Sequence, residues 1–254
     1  MHWNLGVCAG LKDIAMLDEL GFDHIEVFAN SIAELSEEDF AKELAAYRSY
    51  NIPVKTCCIF FAGSMRLLTR DRDMAAIEAH IEHTLARMEM LGVELVVFGS
   101  GASRRFDDDM TYKEAFGRMI ELCRLFADLA ATHGIKVVIE PLNRLETNMI
   151  NSLGEGAALA AAVDRPNFGL MGDLYHIMKD HEALEDLKRV APIDHVHIAT
   201  IDRQMALTES ELEPLVQILD EIDYKGRISV EVFVPIERED AAAVLRNFRA
   251  VTAG

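Results

Sequence analysis

The second half of the sequence contains four short apolar runs: VVIE (137–140), GLMGD (169–173), DHVH (194–197) and ISVE (228–231). Each run ends in a carboxylate or an imidazole, and both groups are common ligands of divalent metal ions. The chain between successive runs is long enough for a loop, a crossover helix and the next parallel strand. The runs therefore predict four consecutive strands of a parallel α/β fold, each with a metal-binding side chain at its end.

Short apolar runs alternate with longer segments of helical period along the whole chain, which indicates a parallel sheet covered by helices. Eight strands are predicted: WNLGVC (3–8), HIEVF (24–28), PVKTCCIF (53–60), ELVVFG (94–99), KVVIEP (136–141), FGLMGD (168–173), DHVHIA (194–199) and RISVEVF (227–233). Eight helices are expected to follow them, the last within residues 239–254. A length of 254 residues suits a (β/α)8 barrel. No linker or low-complexity tract divides the chain, so we expect one single-domain TIM barrel of the α/β class over residues 1–254.

Local signals mark several helix ends. Capping-box patterns predict helix starts at Ser36, with Asp39 three residues later, and at Thr208, with Glu211 three residues later. Helix ends are indicated by glycines that directly precede predicted strands, namely Gly21, Gly92 and Gly134.

Composition restricts the class of partner. The formal net charge is −18, and no stretch is rich in Lys or Arg, which argues against binding to nucleic acid or to an anionic membrane surface. We expect a small substrate that is neutral or locally neutralised. No apolar run approaches the roughly 18 residues that cross a bilayer. The start MHWNLGVCAG also lacks the basic region and the long apolar core of a signal peptide.

The cysteine pattern predicts a reduced, cytoplasmic protein. Cys8, Cys57, Cys58 and Cys123 form no CxxC pair. Successive side chains of a strand point to opposite faces, so Cys57 and Cys58 are expected on opposite sides of their strand rather than as a redox pair.

The strand-end residues predict a metal centre. Barrel enzymes carry their chemistry at the C-terminal ends of the strands, where Glu140, Asp173, His197 and Glu231 would converge. Three carboxylates and one imidazole favour Mn²⁺, Mg²⁺ or Co²⁺ over a structural zinc bound by thiolates. We expect one divalent ion, with Mn²⁺ favoured and Mg²⁺, Co²⁺ or Zn²⁺ as alternatives.

The residues around these ligands carry a family resemblance. The motifs are EPLNRLE (140–146), DLYH (173–176), HIATIDR (197–203) and SVE (229–231), with a less diagnostic VVFGSGASRR (96–105) upstream. They resemble the D-tagatose 3-epimerase and hydroxypyruvate isomerase branch of the xylose isomerase-like barrels, a group that includes sugar phosphate isomerases and epimerases.

The resemblance implies a role for seven residues. Metal ligands would be Glu140, Asp173, His197 and Glu231. Glu140 and Glu231 would also form the acid/base pair, and substrate oxygens would be held by Glu146, His176 and Arg203. Many family members follow the His-to-Arg segment with a Pro-Gly-x-Gly turn, whereas IDRQMALTESELEP (201–214) passes almost directly into the next helix. That side of the pocket is therefore expected to differ in shape. Relatives often form homodimers or homotetramers, so an oligomer is expected here.

The expected activity is that of a divalent-metal-dependent sugar isomerase or epimerase acting on a ketose or a related hydroxy-carbonyl compound. A metal-bound cis-enediolate would form when one carboxylate takes the proton beside the carbonyl. Return of a proton to the opposite face of the same carbon gives epimerisation, and return to the adjacent carbon gives aldose–ketose isomerisation. The alternatives are a metal-dependent dehydratase or lyase on a keto-sugar or inosose, and a non-catalytic sugar-binding barrel. An endonuclease IV-like repair enzyme is disfavoured by the acidic net charge.

Overall fold

A computed structural model of the protein describes residues 3–253. Eight parallel strands form a closed barrel in sequence order. They are β1 (Leu5–Cys8), β2 (His24–Phe28), β3 (Val54–Cys58), β4 (Leu95–Phe98), β5 (Lys136–Ile139), β6 (Phe168–Asp173), β7 (His195–Ile198) and β8 (Arg227–Val230). The predicted (β/α)8 fold is confirmed, and the predicted runs contain all eight strands.

Closure of the barrel comes from the pairing of β8 with β1. Gly6 of β1 lies opposite Ser229 of β8 on one side and opposite His24 of β2 on the other. Parallel strands that pair in sequence order place all their C-terminal ends at one mouth of the barrel. Residues that end β5, β6, β7 and β8 therefore share one rim.

Ten helices surround the barrel within residues 3–253. They are α1 (Leu11–Leu20), α2 (Ala29–Ala33), α3 (Glu37–Tyr47), α4 (Met74–Leu91), α5 (Tyr112–Thr132), α6 (Leu153–Val163), α7 (Leu174–Lys179), α8 (Asp186–Val190), α9 (Glu209–Glu221) and α10 (Arg238–Thr252). Ten helices form rather than the expected eight because the connections after β2 and after β6 each contain two. None of the helices described is long and apolar enough to cross a membrane.

The helix-end signals operate as expected. The Ser36 hydroxyl accepts a hydrogen bond from the Asp39 amide at 3.1 Å, and Thr208 forms a reciprocal capping box with Glu211. Gly21 and Gly92 end α1 and α4 with φ of 84° and 88°, a left-handed conformation that glycine adopts without steric cost.

The apolar interior has two parts. The larger part lies between the sheet and the helices, and Cys57 belongs to it. The smaller part consists of Cys8, Cys58, Leu95, Val97, Val138 and Met171. The two neighbouring cysteines of β3 therefore pack on opposite sides of the strand, as alternation along a strand requires.

Candidate active site

The four expected metal ligands meet at the C-terminal mouth of the barrel. Asp173 is the last residue of β6, His197 lies in β7, and Glu140 and Glu231 directly follow β5 and β8. Their ligand atoms all lie within 4.8 Å of one another, and all four side chains are buried. From His197 Nδ1 the carboxylate oxygens of Glu140, Glu231 and Asp173 are 3.5, 3.7 and 3.8 Å away.

Polar atoms at this point lack hydrogen-bond partners in the protein. They include Glu140 Oε1, His197 Nδ1 and His176 Nε2, all of them buried. An unpaired buried polar atom costs about 1–3 kcal/mol, and carboxylates that share one buried point also repel each other. A divalent cation would relieve both penalties. The donor set of three carboxylates and an imidazole therefore fits a hard divalent ion.

Burial perturbs the carboxylates unequally. The pKa of Glu140 is raised to about 7, mainly by burial and also by the nearby Glu231, while His197 opposes the rise. Burial would also raise the pKa of Asp173, but the imidazoles of His176 and His197 together with Arg203 hold it below its ordinary value. Of these two carboxylates of the cluster, Glu140 therefore retains a proton more readily than Asp173.

Below this cluster, Glu26 of β2 orients His197. Glu26 is fully buried, and its Oε1 lies 2.9 Å from His197 Nε2. Its Oε2 lies 2.9 Å from His195 Nε2 and accepts hydrogen bonds from Thr56 at 2.8 Å and Ser229 at 2.7 Å. With Nε2–H donating to Glu26, Nδ1 of His197 faces the cluster and could bind a metal ion after losing its proton.

Glu26 stays ionised despite its surroundings. Burial raises the pKa of this carboxyl, but the imidazoles of His197 and His195 hold the pKa well below its usual range. Sequence reasoning did not single out Glu26, although a charged residue in the middle of the apolar strand HIEVF was a usable signal. A carboxylate at such a position requires several buried donors, and the barrel interior supplies four.

His176 is held by the loop after β5. The Asn143 amide and the Asn143 side-chain nitrogen lie 3.1 and 2.8 Å from His176 Nδ1. Nδ1 therefore acts as acceptor, and Nε2 carries the proton. His176 Nε2 lies 3.9 Å from Glu140 and 3.8 Å from Asp173. Asn143 was not among the expected site residues, although it lies inside the motif EPLNRLE.

Arg203 joins two other expected site residues. Its guanidinium donates to Glu231 and, at 3.2 Å, to Glu146. It also lies 4.4 Å from the ring centroids of Tyr175 and Phe233, one contact with each ring. Its φ of 56° is rare for a residue with a side chain and marks backbone strain at the site. All seven expected residues thus lie in one continuous site.

A buried arginine supports the rim at β5. Arg104 is fully buried and donates to the carbonyl oxygens of Phe98 at 3.2 Å and Glu140 at 2.6 Å. Burial lowers the pKa of Arg104 to about 10, so its guanidinium remains charged at neutral pH. It fixes the backbone of a proposed ligand, and its position within VVFGSGASRR gave no sign of this role.

A cavity of about 200 Å³ opens beside the cluster. Its lining is Ile59, Phe61, Gly63, Ser100, Gly101, Ala102, Ser103, Glu140, Leu142, Glu146, Arg203, Glu231 and Phe233. A β-carbon at Gly99 would come within 2.0 Å of Glu140 Oε2, so only glycine leaves room for that carboxylate. Ser100 Oγ accepts a hydrogen bond from the Phe61 amide at 3.1 Å, which connects the loop after β4 to the loop after β3.

These features define a (β/α)8-barrel enzyme with its polar centre at the C-terminal mouth. The profile of the xylose isomerase-like TIM barrel family matches residues 14–251, and the chain belongs to this family. The resemblance drawn from the four motifs is therefore confirmed.

Known relatives span most of the chain. D-psicose 3-epimerase of Agrobacterium fabrum is 27% identical over 227 residues, which cover 87% of this chain and 78% of the relative. The 3-dehydro-D-guloside 4-epimerase of Escherichia coli is 26% identical over 254 residues, covering 93% and 91% of the two chains. A crystal structure of D-psicose 3-epimerase in the presence of D-fructose superposes with a TM-score of 0.84 at 25% identity, covering 99% of this chain and 100% of that one. The expectation that the chain is an isomerase is confirmed.

Proposed function

We propose that the chain is a sugar epimerase or isomerase that acts on an unphosphorylated ketose with the help of one divalent ion. The observation that carries this proposal is the convergence of four potential ligand atoms within 4.8 Å, from Glu140, Asp173, His197 and Glu231. Two buried atoms of these residues, Glu140 Oε1 and His197 Nδ1, have no hydrogen-bond partner in the protein. These four residues would hold the ion. The ketose 3-epimerase and the 4-epimerase described above support a reaction at a carbon next to a carbonyl group.

Glu140 and Glu231 would carry the proton transfers. They come from β5 and β8, so they approach the cavity from different sides of the barrel. In an epimerisation, one carboxylate accepts the proton from the carbon beside the carbonyl, and the other carboxyl gives a proton to the opposite face of the same carbon. A divalent ion, when bound, would polarise the carbonyl and compensate the charge of the enediolate oxygens. Because a carboxylate and a carboxyl remain at the end, the next cycle can run in the reverse direction.

Three other side chains would orient the sugar. The His176 Nε2–H points into the cluster because Asn143 occupies Nδ1. Arg203 is stacked between two rings and bonded to Glu231, which keeps its guanidinium at the edge of the cavity. Glu146 presents acceptor oxygens for a sugar hydroxyl beside that guanidinium.

The charge balance of the cavity favours an uncharged sugar. Among the described residues that line it, Arg203 is the one cation, against the three carboxylates of Glu140, Glu146 and Glu231. Arg203 is already paired with two of those carboxylates. A phosphate or carboxylate on the substrate would therefore meet repulsion rather than a free cationic partner. Ile59, Phe61, Leu142 and Phe233 supply an apolar wall for the carbon face of a sugar.

The test is a panel of free ketoses and their phosphate esters, assayed with Mn²⁺, Co²⁺ and Mg²⁺ against a chelated control. We expect epimer formation from at least one free ketose, with exchange of the transferred hydrogen in deuterated water, as detected by proton NMR. A product lighter than its substrate by one water would instead assign the dehydratase alternative. Absence of metal-dependent hydrogen exchange with every sugar would contradict the proposed metal-dependent proton transfer. The expected homodimer or homotetramer remains a prediction, to be checked by light scattering.

A further inference from the structure

Two thiols lie beside the proposed acid/base residue Glu231. Cys8 ends β1 and Cys58 ends β3, and both are almost fully buried inside the barrel. The two sulfur atoms and a carboxylate oxygen of Glu231 all lie within 4.8 Å of one another. Nothing in the proposed sugar chemistry uses these thiols.

The barrel backbone prevents the two cysteines from forming a disulfide. Strand β2 lies between β1 and β3, with Cys8 opposite Glu26 and Cys58 opposite Phe28. Neighbouring strands are about 4.8 Å apart, so the backbones of the two cysteines are separated by roughly 9 Å or more. A disulfide needs Cα atoms within about 7 Å. The hydrogen-bonded ladders on both sides of β2 would have to open before the sulfurs could bond.

A shared metal ion does not meet this obstacle. A zinc–sulfur bond is about 2.3 Å long, so one ion can span two sulfurs that remain roughly 4 Å apart. Glu231 would supply an oxygen ligand from the same side. Two thiolates select soft cations over Mg²⁺ or Mn²⁺, which prefer oxygen ligands. The geometry therefore suits a thiophilic ion and not a redox switch.

We propose that Cys8, Cys58 and Glu231 form a second, inhibitory site for a thiophilic divalent cation such as Zn²⁺ or Cd²⁺. When the ion binds, two metal–sulfur bonds form, the two thiol protons pass to solvent, and one Glu231 carboxylate oxygen coordinates the metal. The inhibitory effect rests on the proposed function, because it removes Glu231 from proton transfer. The binding site itself does not depend on that function.

An ion can reach this site from the catalytic mouth. Cys8 lines a cavity of about 530 Å³ together with Phe233 and Val234 of the loop after β8. Phe233 and Val234 are 58% and 39% exposed, so this cavity lies at the surface. Movement of these exposed side chains would open the way to the sulfurs without any change in the barrel.

Cadmium is a suitable probe because its bonds to thiolates produce a charge-transfer absorption in the ultraviolet. We expect this band to appear when Cd²⁺ is titrated into the wild-type protein preloaded with Mn²⁺, and to saturate at one ion per chain. Cys8→Ala and Cys58→Ala should each lose most of the band. Cys57→Ala is the matched control, because Cys57 neighbours Cys58 but packs on the outer side of β3, and it should keep the band.

Activity assays on the same samples test inhibition separately. Cd²⁺ should inhibit wild type and Cys57→Ala, and at least tenfold more Cd²⁺ should be needed for the Cys8 and Cys58 variants. A wild-type protein that shows no thiolate band would overturn the site, even if the alanine variants failed to fold. Inhibition without a band would place Cd²⁺ at the proposed catalytic ligands instead. If the band appears but no sugar is turned over, the thiol site stands and the proposed function fails.

Discussion

The hydrogen bond between Glu26 and His197 gives the sharpest test of the proposed metal centre. Replacing Glu26 with Gln keeps the shape of the side chain but converts one acceptor oxygen into a donor NH₂ group. All four neighbours of Glu26 are placed to donate to it: His197, His195, Thr56 and Ser229. Whichever way the amide points, at least one buried donor therefore faces another donor.

The size of the effect follows from the role of His197. If the NH₂ group faces His197, the imidazole must move its proton to Nδ1, the atom that faces Glu140, Asp173 and Glu231. Loss of a carboxylate partner behind a ligating histidine weakens metal binding by about 10–100-fold, or roughly 1.4–2.8 kcal/mol. We expect the Mn²⁺ dissociation constant of Glu26→Gln to rise by this factor, with much of the turnover recovered at saturating Mn²⁺.

The assay is titration of Mn²⁺ into metal-free protein, with free Mn²⁺ measured by electron paramagnetic resonance. Thr56→Val is the matched control, because it removes one neutral donor from Glu26 without changing the contact between Glu26 and His197. Its Mn²⁺ affinity should stay within about threefold of wild type. The lost neutral hydrogen bond should lower the free energy of unfolding by about 0.5–1.5 kcal/mol, but it leaves the orientation of His197 unchanged. An unchanged Mn²⁺ affinity in a folded Glu26→Gln protein would refute the orientation argument.

Three further substitutions test other parts of the site. Glu231→Gln should reduce turnover by about 10²–10⁴-fold through loss of proton transfer, while sugar binding stays measurable by calorimetry; full activity would contradict the acid/base role. Arg203→Lys should reduce kcat/KM by roughly 10²-fold, because one ammonium group cannot contact Glu146 and Glu231 together and also stack on two rings; steady-state kinetics that match wild type would remove Arg203 from the site. Arg104→Met should destabilise the protein by about 2–4 kcal/mol, since two buried carbonyls lose their donor. The melting temperature should then fall by roughly 4–16 °C, whereas the exposed Arg105→Met control should stay near wild type.

The sequence was sufficient to predict the residues at the barrel mouth. A strand in a parallel barrel ends at a fixed rim, so the last polar residue of each apolar run could be assigned to one shared place. Glu140, Asp173, His197 and Glu231 meet there for this reason. The catalytic metal centre proposed above rests on this convergence.

The supporting residues were not predictable in the same way. Glu26 and His197 are 171 residues apart, and no local pattern states that their side chains meet in the barrel interior. Arg104 was equally hidden, because its partners are backbone carbonyls, which carry no residue identity. Only the closed order of the strands determines which inward-facing side chains become neighbours.

Polar residues inside the barrel form two layers that are connected by His197. In the lower layer, Glu26 is a buried anion whose acceptor sites are filled by four donors. In the upper layer, Arg203 is paired with Glu231, but the buried atoms Glu140 Oε1, His176 Nε2 and His197 Nδ1 have no hydrogen-bond partner. His197 belongs to both layers, because Nε2 bonds Glu26 below and Nδ1 faces the carboxylates above. Burial lowers the pKa of His197, but the carboxylates of Glu26 and Glu231 raise it well above its ordinary value. The His197 imidazolium therefore balances part of the charge of the upper layer, and a cation bound there would take the place of its Nδ1 proton.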